Sequence, residues 1–149
     1  MKITIFTAAD YVDTSNGKLT IVGVFDNIEQ QKCPFTFKPF GVAVKLIVES
    51  ADFKKTHSGH IILRNLRGRK DVFKIPLQVK PSRRSKEKVN SVSLAFNVGG
   101  AKFESFGPYL LELKFGPKTI YSTKINVVKK PKADKAKKVD KKGKTKSEL

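Results

Sequence analysis

The sequence predicts an all-β fold: about seven to nine short strands over residues 1–128, pairing antiparallel in a sandwich or barrel, with a disordered lysine-rich tail over residues 129–149. Three observations predict it. Apolar and polar residues alternate with a period of two in several separate segments, as in strands that bury one face and wet the other. Turn-forming Gly, Pro and Asn recur every ten or so residues, the spacing of an all-β domain. After Val128 the composition changes abruptly, and no segment before it shows a sustained helical period with caps.

The elements follow in order. Asn16-Gly17 lies between AADYVD and KLTIVGVF. Both central positions of a type I′ turn need positive φ, so this dipeptide marks a hairpin. Residues 19–28 are apolar on both faces, which points to a central strand or one covered by a loop. In 42–48, Val42, Val44, Leu46 and Val48 share one face and Ala43, Lys45 and Ile47 the other. Residues 60–66 and 72–79 flank Arg67-Gly68-Arg69-Lys70, a second hairpin. Val92, Leu94, Phe96 and Val98 face inward and Ser93, Ala95 and Asn97 outward, before Gly99-Gly100 ends the run. Tyr109, Leu111, Leu113 and Phe115 face inward with Glu112 and Lys114 outward; Gly116-Pro117 turns the chain, and Tyr121, Thr123, Ile125 and Val127 return. Tyr109 is a candidate tyrosine corner, anchoring a loop through its hydroxyl.

The block TAADYVDTSNGKLTIVGVFDNI resembles the opening of a widespread bacterial family known as a domain of unknown function, through Ala9, Asp10, Gly17, Lys18, Leu19, Ile21, Gly23, Phe25, Asp26 and Ile28. The run GPYLLEL from Gly107 to Leu113 resembles a later strand of that family, and the last strand before the tail resembles its ending. The resemblance implies an immunoglobulin-like β-sandwich. It assigns no activity, and gives Asp10, Gly17, Gly23, Phe25, Asp26 and Tyr109 structural roles. The basic charge and the lysine tail depart from the family pattern.

The net charge of +18 is unevenly placed. Residues 1–63 carry seven lysines against six acids; 64–88 carry ten Lys or Arg against two acids, including all five arginines; 89–128 carry four lysines against two acids; 129–149 carry ten lysines against three acids. The last segment has too little apolar surface to offset its ordering entropy. A single cysteine, Cys33, excludes an intramolecular disulfide and a cysteine-based zinc site. The start, MKITIFTAADYVD, is too short in apolar residues for a secretory signal, and no run reaches the length of a membrane span. The expectation is a cytoplasmic protein without integral membrane contact.

Few residues suggest chemistry. His57 and His60 are three apart, which on a strand places them on opposite faces. Asp10, Asp13 and Asp26 each adjoin a turn or strand end, where Asp bonds the backbone. Cys33 has Lys32 beside it but no histidine close in sequence to act as its base. Gly99-Gly100 opens no helix, so it forms no phosphate cradle. The expectation is therefore no enzyme, no metal, no cofactor and no small-molecule substrate.

The basic segment carries more. If residues 71–79 form a strand, Phe73, Ile75, Leu77 and Val79 face inward, and Val72, Lys74, Pro76 and Gln78 outward. Pro76 lacks a backbone donor, which favours an edge. The preceding loop is expected to hold Arg64, Arg67, Arg69 and Lys70, and the following one Lys80, Arg83, Arg84, Lys86 and Lys88. Edge Lys and Pro block aggregation, but that does not account for five arginines. Arginine's planar fork suits phosphate. These residues are candidates for contact with a polyanion or acidic protein. Sequence-independent nucleic-acid association is one alternative, and a phage-type structural role another.

Overall fold

Eleven strands run through the residues that the structure, a computed structural model, describes, namely 1–81 and 90–131. They are β1 (Lys2–Ser15), β2 (Lys18–Phe25), β3 (Asn27–Gln30), β4 (Phe35–Thr36), β5 (Phe40–Val48), β6 (His57–Asn65), β7 (Asp71–Val79), β8 (Asn90–Val98), β9 (Lys102–Phe103), β10 (Gly107–Phe115) and β11 (Lys118–Lys129). Eight of these have eight residues or more, and the other three are short, with two to four residues. The sole helical element among the described residues is a 3-10 turn, Ser50–Asp52.

Two sheets form the sandwich, in the orders β2-β1-β5-β8 and β3-β11-β10-β6-β7, while β4 and β9 pair as a small ribbon. All pairings are antiparallel except β3 with β11. The inner faces are those that the alternation predicts. Val42, Val44, Leu46 and Val48 of β5 meet Ile61, Leu63, Leu111, Leu113 and Ile125 of the facing sheet, all buried. Each such side chain contributes about 1.5–3 kcal/mol on burial. One end of the core is closed by phenylalanines: Phe25 meets Phe37 and Phe40 edge-on at 5.6 and 5.7 Å, and Phe35 stacks on Phe103 at 5.3 Å.

The β1–β2 hairpin turns at Asn16 (φ 52°) and Gly17 (φ 73°), as Asn-Gly predicts. Its far half is not paired with β5, which β1 follows only as far as Ala9. At Asp10 and Gly23 it bends, and the half beyond folds over the outer face of β5 and β8. Val12, Leu19 and Ile21 pack there on Ala9, Ala43 and Ala95, and the Ser93 hydroxyl donates to Gly17 O at 3.4 Å. Small residues make this approach feasible. A Cβ at Gly41 would collide with Val12, and one at Gly23 (φ 72°) would collide with Asp10. Asp10 is held by Lys38 at 3.2 Å. Asp26 marks the switch between sheets: its carbonyl accepts from Asn126 N–H at 2.8 Å and its carboxylate from Asn27.

Several expectations are corrected. Residues 19–28 are not one central strand: β2 is an edge, broken from β3 at Asp26. Its two-faced apolarity arises because Leu19 and Ile21 cover the sheet's back while Val22 and Val24 stay exposed. Glu112 does face outward but is buried to 6% exposure, with Thr119 and Arg64 turned onto it. Arg64 lies on β6, not in the loop after it. The ordered chain passes Val128, because Lys129 pairs with Gln30 and Lys130 N–H donates to Gln30 O at 2.8 Å. The tail from residue 132 lies outside the described residues.

Candidate polyanion-binding surface

β7 is an edge strand, as Pro76 predicts, with Leu77 and Val79 buried inward and Lys74, Pro76 and Gln78 exposed outward. The turn before it is built by Asn65. Its side-chain oxygen accepts from the N–H groups of Arg67 (2.9 Å) and Gly68 (3.3 Å), and its own N–H donates to Lys70 O at 2.9 Å. Such a side-chain turn replaces backbone bonds that the strands no longer supply. Arg69 adopts φ 53° at the tip.

The turn is tied to the core. Asn65 Nδ2 donates to Ser105 Oγ at 3.0 Å and lies 3.4 Å from Tyr109 Oη. Tyr109, itself 1% exposed, donates its hydroxyl to Ser105 O at 2.8 Å, four residues upstream. That is the corner the sequence anticipates. Gly107 (φ 125°) leaves room beside it for Arg67: a methyl there would stand 3.3 Å from the guanidinium carbon. The cationic tip therefore stands on a hydrogen-bonded base.

The ten candidate cations divide. Arg64 is spoken for: its Nε donates to Asp71 at 3.0 Å and its Nη1 lies 3.5 Å from Glu112 Oε1. The Asp71 hydrogen bond, then the charges of Asp71 and Glu112, hold its guanidinium above its usual range despite burial. Arg67, Arg69, Lys70, Lys74 and Lys80 are exposed and make no ion pair among the described residues. Leu66, Arg69 and Lys70 line a shallow cleft with Arg64 and Asp71. Nine residues of β7 span about 30 Å, so Lys80 is far from this tip, with Lys74 between. Arg83, Arg84, Lys86 and Lys88 lie outside the described residues.

The other candidates stay apart. His57 Nε2 sits 3.0 Å from Asp52 O, on the inner side with Phe115, whereas His60 faces outward opposite Lys114 and Pro76. Asp10 and Asp26 have the separate partners given above. Burial raises the Cys33 thiol above its usual range. Among the described residues, no three of His, Cys, Asp and Glu gather as a metal site would require. No helix among them is long and apolar enough to cross a membrane. Sequence reasoning missed the Arg64–Glu112–Thr119 cluster and the Asn65 anchor. A hint of the first is the acid at the centre of an otherwise apolar strand.

No curated protein matches this sequence. A family model does match, over residues 4–128, which is nearly all of the described sandwich; the chain belongs to DUF6941, a family of unknown function.

Proposed function

We propose that this chain is a non-enzymatic, cytoplasmic interaction module on an immunoglobulin-like sandwich, and that the β6–β7 turn and the outer side of β7 meet a polyanion or acidic partner. The observation that carries the reading is the set of cations that find no ion-pair partner among the described residues, on a braced turn and edge: Arg67, Arg69, Lys70, Lys74 and Lys80. Asp71, the one acid among residues 64–80, is taken by Arg64. An immunoglobulin-like description draws on strand order. With β2 and the short strands set aside, β1-β5-β8 face β11-β10-β6-β7, so the first, second and fifth strands oppose the others. Tyr109 and Ser105 add the corner found near the start of the equivalent strand in such domains.

Nucleic acid is the polyanion favoured by the two arginines at the tip, whose forks match phosphate. Phe73 packs on the core, so no aromatic ring is offered for base stacking from this strand. Binding is then sequence-independent and falls steeply with salt. Fluorescence anisotropy with single-stranded and duplex oligonucleotides and with heparin, from low to physiological salt, tests it. Arg67→Glu with Arg69→Glu weakens binding to all sequences alike. Binding that ignores salt, or is unchanged in this variant, refutes it.

A further inference from the structure

We infer that β2 is a self-association edge, joining two copies of this chain antiparallel about a two-fold axis through Val22. Among the described residues the sandwich has four free strand edges, and three are guarded. β7 carries Lys74 and Pro76; β3 has only four residues, with Glu29 among them; β8 offers Ser91, Ser93 and Asn97 beside the folded-back hairpin tip. Natural sheets use such devices against edge pairing. β2 has no proline and, past its first residue, no charge in its eight residues, KLTIVGVF; its departure from extended backbone is Gly23, at φ 72°.

Its exposed side is also apolar where a soluble edge would be polar. Val22 is 54% exposed, Val24 63%, and Tyr11, opposite Val22 on β1, 54%. Ser15 and Lys18 close the two-residue turn, so hydrogen-bonded pairs alternate from there. The N–H and C=O groups of Leu19 and Ile21 then point away from β1, available to a further strand.

The occupant is named by charge. With Val22 opposite Val22, Thr20 falls opposite Val24, and Lys18, the first residue of the strand, falls opposite Asp26, the residue just past its last. Both are exposed and the pairing occurs twice by symmetry. No other register centred on this strand sets those opposite charges face to face. Repulsion is also least here: residues 1–30 hold two lysines against four acids in a chain whose net charge is +18. Opposite charges across strands favour a register and like charges oppose it. The edge lies in the other sheet from β7, so the inference stands apart from polyanion binding.

Sedimentation equilibrium of the full chain at physiological salt, over a range of concentrations, tests the proposal, with circular dichroism to verify folding of each variant. A concentration-dependent dimer is expected, and Val22→Lys should weaken it at least about tenfold. Lys18→Asp alone and Asp26→Lys alone each place like charges opposite one another and should also weaken it. An equimolar mixture of those two variants restores both opposite-charge pairs, so dimer returns in the mixture. A chain monomeric at all concentrations overturns the proposal, as does a dimer indifferent to Val22→Lys. Folded single variants that do not recover on mixing overturn the register.

Discussion

The folded-back hairpin makes a quantitative claim about two residues far apart in sequence, Val12 and Gly41. A methyl placed on Gly41 would lie 3.0 Å from Val12 Cγ1 and closer still to Cγ2, in a site with no open space. Overpacking of this kind costs about 1–3 kcal/mol. Replacing glycine also narrows the unfolded ensemble, which offsets roughly 0.4–1 kcal/mol. Gly41→Ala is therefore expected to destabilise by about 1–2 kcal/mol. Val12→Ala removes two methyl groups, about 1.6 kcal/mol at roughly 0.8 each, and leaves a small cavity that brings the loss to about 2 kcal/mol. The double variant removes the colliding atoms and puts a methyl where they were. Its loss should fall below that of Val12→Ala alone, so the two changes couple by at least about 1 kcal/mol. Urea unfolding followed by circular dichroism measures this, best in the Val22→Lys background so that self-association does not contribute. Additivity within about 0.5 kcal/mol would show that Val12 does not lie on Gly41. The hairpin would then be a plain extension of its sheet.

Other outcomes follow from the same geometry. Tyr109→Phe removes the hydroxyl bond to Ser105 O, and should lower stability by about 1–2 kcal/mol, a fall of several degrees in a thermal melt. It should also loosen the Asn65 turn and weaken polyanion binding, whereas a variant with unchanged melt would dissociate the corner from stability. Arg64→Leu strands Glu112 with Thr119 as its remaining polar partner; unfolding free energies should show a loss of roughly 1–3 kcal/mol, largely recovered in Arg64→Leu with Glu112→Leu. Because Arg64 is already matched by Asp71 and Glu112, oligonucleotide affinity should change less in that double variant than in Arg67→Glu. Burial raises the Cys33 thiol pKa, so less thiolate is present at pH 8 in the folded chain than in the unfolded one. Disulfide-reagent kinetics should be slower before denaturation than after, and equal rates would contradict the burial.

Alternation along the chain determined most of the architecture. Period-two patterning identified the inward residues of β5, β7, β8 and β10, and Asn16-Gly17 and Pro76 placed a hairpin and an edge, because side-chain direction and local φ depend only on neighbours a residue or two away. The unequal distribution of charge was equally legible. Which face of an apolar strand is covered was not, since β2 reads the same whether it is central or peripheral. The bend at Asp10 and Gly23, the burial of Glu112 and the pairing of Arg64 all depend on residues brought close from distant parts of the chain. Tertiary packing alone selected, among the described cations of the basic segment, the one that is neutralised and those that find no partner among the described residues, because a charge is balanced by what lies within a few ångströms in space and not along the sequence.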